Sequence, residues 1–351
     1  MSEARETRGE PAVGTRDCLF SHARFCNRLH RCYNARLLRM DDHSRLRDAL
    51  RQTLDAFAQQ LPGVDEHRVE AMHGARVATR RLREIVPLLQ LKRQAVRKLN
   101  RRLKRITHTL GTVRELDVLC LLVAEFARAN RSTPSALKAV GAAIEQARDQ
   151  ARRQLVAGRV PLKMRRLITR LELGSDGLAR RATRDRRSVA GLGRVRALDA
   201  RIVRRALQLQ AAIDRAACLY APTPLHDVRI ALKKLRYAAE LCQSADRQPD
   251  PDIKTLKEGQ DLLGRLHDLQ VLVTWTRGVQ AALSRPDRDK SRGLAALVHP
   301  IDGDCRHLHA RFIRDRSKLI VVANRMAARS ESHESSNDAS WLACNELTAT
   351  P

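Results

Sequence analysis

The sequence predicts an all-α protein, and the prediction rests on two features. From Asp41 onward apolar residues recur at helical spacing, segment after segment. Within that succession one amphipathic helix of unusual character, His73 to Arg83, appears a second time as His226 to Arg236. At about 100° per residue, His73, Arg76, Arg80 and Arg83 fall in a sector of about 80°, while Ala75, Ala78, Leu82, Ile85, Val86 and Leu89 fill most of the far side. The helix therefore carries an apolar face and a basic stripe. A lone stripe of this kind reads as solvated decoration; its repetition makes it a candidate site.

The two copies match residue for residue at an offset of about 153: His73 with His226, Arg76 with Arg229, Arg80 with Lys233, Arg81 with Lys234 and Arg83 with Arg236. The apolar face is repeated through Val228, Ala231, Leu235, Ala238, Ala239 and Cys242. The same offset continues downstream without a gap, pairing Leu103-Lys104 with Leu256-Lys257, Leu110-Gly111 with Leu263-Gly264, and Val118-Leu119 with Val271-Leu272. Arg101 and Lys104 thus correspond to Lys254 and Lys257, whereas Arg97, Arg102 and Arg105 have no basic counterpart. A duplication of domain size explains this register.

Taken in order, residues 1–40 form an extension whose polar start, Met1 to Arg16, has no period and is expected to fray. Cys18, His22, Cys26 and His30 follow in steps of four, but one straight helix cannot wrap a tetrahedral ion, so no metal site is assigned. Leu46, Leu50, Leu54 and Phe57 form a helical row ending at Pro62-Gly63, and the first stripe helix is expected from about Val64 to Leu91. A third helix, dense in Lys and Arg from Lys92 to Arg105, leads into the Leu110-Gly111 turn. A fourth is expected from Thr112 through Leu116, Leu119, Val123 and Phe126 to a stop at Ser132-Thr133-Pro134.

Two or three helices between Pro134 and Arg187 close the first repeat, residues 41–190. The second repeat, residues 194–328, starts with a helix through Ile202, Val203, Leu207 and Ile213 and passes Pro222 and Pro224 into the second stripe. Helices from Arg288 to Val298 and from Pro300 to Ala328 complete it. Residues 329–351, Ser-rich and without Lys or Arg after Arg329, read as a disordered tail.

Composition narrows the partner. The chain's 67 Lys and Arg against 39 Asp and Glu, over 351 residues, give a formal charge of +28, a self-repulsion that makes sense chiefly opposite a polyanion. Nucleic acid, anionic membrane and polyphosphate are the candidates. Aromatic residues make up only 3% of the chain, which argues against stacking platforms for bases and against an RNA-recognition sheet or OB-fold. No apolar run approaches the roughly 18 residues of a membrane span, and the N-terminus lacks a signal-peptide core. Eight scattered cysteines, several on apolar helical faces, read as reduced thiols of a cytoplasmic protein.

The paired words His73 to Arg83 and His226 to Arg236 are followed by Leu110-Gly111-Thr112-Val113-Arg114-Glu115 and Leu263-Gly264-Arg265-Leu266-His267-Asp268. This pattern resembles the conserved histidine α-helical domain family, CHAD, from about Asp41 to Ala328. The resemblance implies two four-helix-bundle-like repeats related by pseudo-two-fold symmetry. It also implies non-enzymatic binding of inorganic polyphosphate along basic helices near the axis, with association to polyphosphate granules in the cytoplasm. Where relatives favour Arg-Asp in the second Leu-Gly word, this chain has His267-Asp268, so that corner gains full charge only below a pKa near 6.5. No fused triphosphate-processing strand motif is present.

The expected polyphosphate contacts are His73, Arg76, Arg80, Arg81, Arg83, Arg101, Lys104 and Arg114 in the first copy. In the second they are His226, Arg229, Lys233, Lys234, Arg236, Lys254, Lys257 and His267. Guanidinium groups chelate phosphate oxygens bidentately and Lys supplies adaptable point charges, so rows of both at helical spacing suit a linear polyanion. No cofactor or catalytic residue is assigned: phosphoryl transfer needs a positioned partner for its His and usually a metal, and no motif supplies a carboxylate cluster. His307 and His309, two apart, point to different helix faces. A nucleic-acid-binding helical protein is the second reading, since its cations meet the same phosphate chemistry, and a phosphohydrolase the third.

Overall fold

The structure, a computed structural model, describes residues 42–89, 91–129, 134–184, 192–216, 220–241, 250–283 and 288–346. The Cys18, His22, Cys26 and His30 series and the rest of the N-terminal extension lie outside them. The described residues form helices joined by short turns, with no strand among them: α1 (Asp42–Gln59), α2 (Leu61–Asp65), α3 (Val69–Ile85), α4 (Arg93–Arg128) and α5 (Pro134–Ala157). They continue with α6 (Val160–Arg184), α7 (Leu192–Ala216), α8 (Pro222–Glu240), α9 (Pro251–Ala281) and α10 (Arg288–Glu346). The stripe helices are α3 and α8.

Proline sets several of these boundaries from the inside. Pro134, Pro161, Pro222 and Pro251 each occupy the first or second position of a helix, where the missing N–H costs nothing and the fixed φ is already helical. At α9 the Asp250 side chain adds a cap by accepting from Asp252 N at 2.9 Å. Residues expected to stop one helix therefore start the next.

The packing follows the same order in both halves. In the first, α3 lies between α1 and α4, α4 packs on α5, and α6 returns to α1; in the second, α8 lies between α7 and α9, α9 packs on α10, and α10 returns to α7. Across the halves α9 meets α4 and α5, α10 meets α5, and the stripe helices α3 and α8 meet each other. Buried residues from Leu50 to Met326 join in one apolar core.

Three expectations are corrected. The first stripe helix does not run from Val64 to Leu91: α2 ends where Arg68 N donates to Gly63 O at 2.7 Å and His67 takes a left-handed φ of 59°, and Pro87 converts the far end to a 3-10 turn, Val86–Leu88. Leu110-Gly111 and Leu263-Gly264 are not turns, because α4 and α9 run through both. The buried neighbours Leu103, Ile106, Leu110 and Val113 outweigh the roughly 1 kcal/mol that glycine costs a helix. Pro300 does not divide α10; Leu294, Leu297, Ile301 and Cys305, all buried, hold the segments on either side to one axis.

Glycines at two places now have opposite predicted effects. A Cβ at Gly264 meets nothing within 4 Å, so Gly264→Ala should raise stability by up to about 1 kcal/mol, measured by urea unfolding. A Cβ at Gly63 would lie 2.5 Å from Ala71 Cβ, so Gly63→Ala should destabilise by about 1–3 kcal/mol. A lower urea midpoint for Gly264→Ala would contradict its mid-helix placement.

Candidate functional site

On α3 the buried face consists of Ala71, Met72, Ala75, Ala78, Leu82 and Ile85, and on α8 of Leu225, Val228, Ala231, Leu232, Leu235 and Ala238. With those faces spent on the core, His73, Arg76 and Arg80 of α3 and His226, Arg229 and Lys233 of α8 occupy the remaining surface where the two helices meet. The convergence is electrostatic as well as spatial. Arg76 acts on Arg80 and Arg229, and Lys233 on Arg229, Arg80 and Arg76. The stripes form one cationic centre.

α4 and α9 supply its rim at matching positions. Arg114 and Glu115 come from α4, and His267 and Asp268 from α9, 153 residues further on. Asp268 acts on Arg229, and Glu115 acts on both Arg229 and Arg76. Tyr237, buried on α8, stands close enough to influence the same two arginines. Arg76 reaches α4 at Gly111: its Nη1 donates to Gly111 O at 3.5 Å, and its Cζ lies 3.5 Å from where a Cβ would stand, an ordinary contact distance. The guanidinium rests against bare helix backbone.

Burial and mutual repulsion shift the charges of the centre. Burial first, then Arg229, Arg80 and Arg76, pushes the Lys233 amine down to about 6. Burial, with Arg80 and Arg229, pushes Arg76 down to about 10, and Arg229 is lowered mainly by burial. His267, half-buried, is pushed down to about 4 by that burial and then by Arg229, His226 and Lys233. His226 and His73 are lowered by burial and then by neighbouring cations. The rings of His226 and His267 lie 4.8 Å apart at 48°. At neutral pH these imidazoles are uncharged donors and acceptors.

Three guanidinium nitrogens of the centre, Arg76 Nε, Arg229 Nε and Arg114 Nη1, are buried without a hydrogen-bond partner. Buried N–H groups are rarely left so. The three arginines come from three helices and all act on Asp268.

The other sequence-predicted residues go elsewhere. Arg81 donates to Glu240 at 3.1 Å, and Arg236 is taken up by the same carboxylate and by Gln260 Oε1 at 3.0 Å. Arg83 and Lys234 stand beside the buried Glu84, which binds Arg201 at 2.6 Å and Arg205 at 3.4 Å. Arg101 and Lys104 on α4, and Lys254 and Lys257 on α9, are exposed. Sequence reading missed Glu115, Asp268 and Tyr237 as members of the centre; the Glu115 and Asp268 correspondence at the repeat offset was the available signal. Among the described residues no group of three or more His, Cys, Asp or Glu is arranged to hold a metal ion.

A family profile for the CHAD domain matches residues 48–277. The chain belongs to the CHAD domain family. Among solved structures, PptA from Streptomyces chartreusis is similar at 17% identity and a TM-score of 0.50, covering 83% of this chain and 99% of that one. The CHAD domain from the plant Ricinus communis is similar at 20% identity and a TM-score of 0.50, covering 82% and 91%. At these identities the likeness concerns the fold alone. No curated protein matches the sequence. In this CHAD chain the segments His73 to Arg83 and His226 to Arg236 bring the cationic centre together.

The depressed amine of Lys233 makes a stability prediction. Between about 6 and its ordinary 10.5 the unfolded chain holds a proton that the folded chain does not, so stability falls as pH drops from 10.5 toward 6 and levels off below. Lys233→Met is therefore expected to be more stable than the parent at pH 6–7 by on the order of 1–3 kcal/mol, the gap closing toward pH 10. A parent that is the more stable at pH 6 would show that the amine is not desolvated.

Proposed function

We propose that this chain binds inorganic polyphosphate where its two stripe helices meet, and does no chemistry on it. The observation that carries the reading is the centre itself: Arg76, Arg80, Arg229 and Lys233, drawn from two helices, sharing one partly buried space, with unpartnered guanidinium N–H groups beside them. A phosphate chain offers several oxygens and a charge every few ångströms, and bidentate arginines match that pattern without a pocket for a base.

Charge alone would fit nucleic acid as well. The centre, however, offers one aromatic ring, the buried Tyr237, and neutral imidazoles in place of stacking platforms. The carboxylates Glu115 and Asp268 stand against Arg76 and Arg229, where they moderate the repulsion among the cations and give the arginines fixed directions. His73, His226 and His267, neutral at physiological pH, serve as hydrogen-bond donors to phosphate oxygens. Association with polyphosphate granules in the cytoplasm belongs to the same proposal, and co-localisation in cells tests it. None of the described helices is long and apolar enough to cross a membrane.

The test is competition for labelled polyphosphate by DNA and RNA at equal phosphate concentration and fixed salt. Polyphosphate should win, and log K should fall with log salt at about 0.7 per phosphate neutralised. Arg80→Glu with Lys233→Glu should weaken binding of a short polyphosphate by about 100-fold or more, the range expected for two charge-assisted hydrogen bonds. Arg97→Glu with Arg102→Glu, the same change of net charge, should cost the short chain less than about threefold. Equal losses would mean that net charge alone drives binding. Preference for nucleic acid, or Mg²⁺-dependent phosphate release lost in His73→Ala, would overturn the reading.

A further inference from the structure

The first half of α4 holds a feature the centre does not use. Arg93, Arg97, Arg101, Lys104 and His108 follow one another at helical steps of four, four, three and four, and all are exposed. At about 1.5 Å per residue the row runs about 27 Å from Arg93 to Gly111, within a sector of about 80°. Among the described residues none of these five has a carboxylate partner. Gly111 lies on the same face and is the residue against which the Arg76 guanidinium rests. The row therefore leads from open solvent to the edge of the cationic centre.

Beyond Gly111 the face changes sign. Its next member is Glu115, exposed and acidic, so an anion that continued along α4 would meet a carboxylate. Turning off α4 at the level of Gly111 brings it instead to Arg76, and through Arg76 to Arg80, Arg229 and Lys233. The geometry gives the path one bend, at the glycine.

Among the described residues α9 has no equivalent row. At the positions of Arg97, Arg101, Lys104 and His108 stand the N-cap Asp250, then Lys254, Lys257 and Asp261 on α9, and Asp268 stands where α4 has Glu115. Two exposed lysines followed by the exposed Asp261 cannot guide a polyanion over a comparable distance, since that acid offsets a neighbouring cation within a Debye length of about 8–10 Å. The duplication is symmetric at its centre and one-sided at its approaches.

We propose that a long polyphosphate enters and leaves the centre along α4 and not along α9, so that the Arg93 to His108 row acts as a one-sided extension that favours long chains over short ones. The inference rests on the polyphosphate reading and specifies which chain lengths the site prefers. A short chain fills the centre; a longer one adds the row's contacts within the same complex, raising affinity as linked contacts do.

The experiment compares the full-length chain with two variants of matched charge change, Arg97→Glu with Arg101→Glu on α4 and Lys254→Glu with Lys257→Glu on α9. Each is titrated with a short polyphosphate of about 8 phosphates and a long one of about 100, at fixed salt. The parent should bind the long chain more tightly per molecule, and the α4 variant should lose at least about 10-fold for the long chain and less than about 3-fold for the short. The α9 variant should lose less than about 3-fold for both. Equal loss of long-chain affinity in the two variants, or equal loss for both lengths in the α4 variant, would overturn the one-sided path while leaving the centre intact. A parent that binds neither length would overturn the polyphosphate reading itself, and this inference with it. Circular dichroism and the urea midpoint establish that both variants are folded.

Discussion

The structure depends on holding like charges together. Arg76, Arg80, Arg229 and Lys233 repel one another, and burial makes the repulsion costlier, yet the contact between α3 and α8 forces them into one space. The apolar faces of the two helices supply the force, since Leu82, Leu232 and Leu235, among others, are fully buried on the opposite side. Carboxylates then fasten the flanks. Glu240 accepts from Arg81 of one stripe helix and Arg236 of the other, tying the two together. Glu84 holds α7 to α3 through Arg201 and Arg205. Acids are spent beside the centre, and the middle of each stripe is left basic.

That arrangement stores a functional consequence. A site whose lysine is largely deprotonated and whose histidines are neutral presents less charge than its sequence suggests. On the proposed function, a polyanion entering it would restore the missing proton at Lys233, so binding and protonation would be linked. The rim acids Glu115 and Asp268 limit the repulsion among the cations, while Arg76 Nε and Arg229 Nε are buried without a hydrogen-bond partner.

Much of this was legible from the sequence because helix periodicity and an ungapped duplication are one-dimensional signals. His73, Arg76 and Arg80 could be put on one face, and matched to His226, Arg229 and Lys233, with no knowledge of tertiary contacts. What was not legible depends on partners far along the chain. Arg81 and Arg236 belong to the same basic words as Arg80 and Lys233, but their partner Glu240 is 159 residues from Arg81 and one turn beyond Arg236. Arg83 and Lys234 sit beside Glu84, whose partner Arg201 is 117 residues away. The Leu-Gly words misled for a related reason. Glycine signals a turn locally, whereas Gly111 lies inside an unbroken helix whose buried neighbours decide its conformation.

The central claim, that a polyphosphate chain is received among mutually repelling, partly desolvated cations, is tested most directly by counting protons. Calorimetric titration of the full-length chain with polyphosphate at pH 7.5, in two buffers of different ionisation enthalpy, reports the protons exchanged on binding. The account predicts uptake of about one proton per bound chain, as an amine near pKa 6 regains its charge, and loss of that uptake in Lys233→Met. Binding with the same proton count in parent and variant would place the polyanion somewhere other than the meeting of the two stripes.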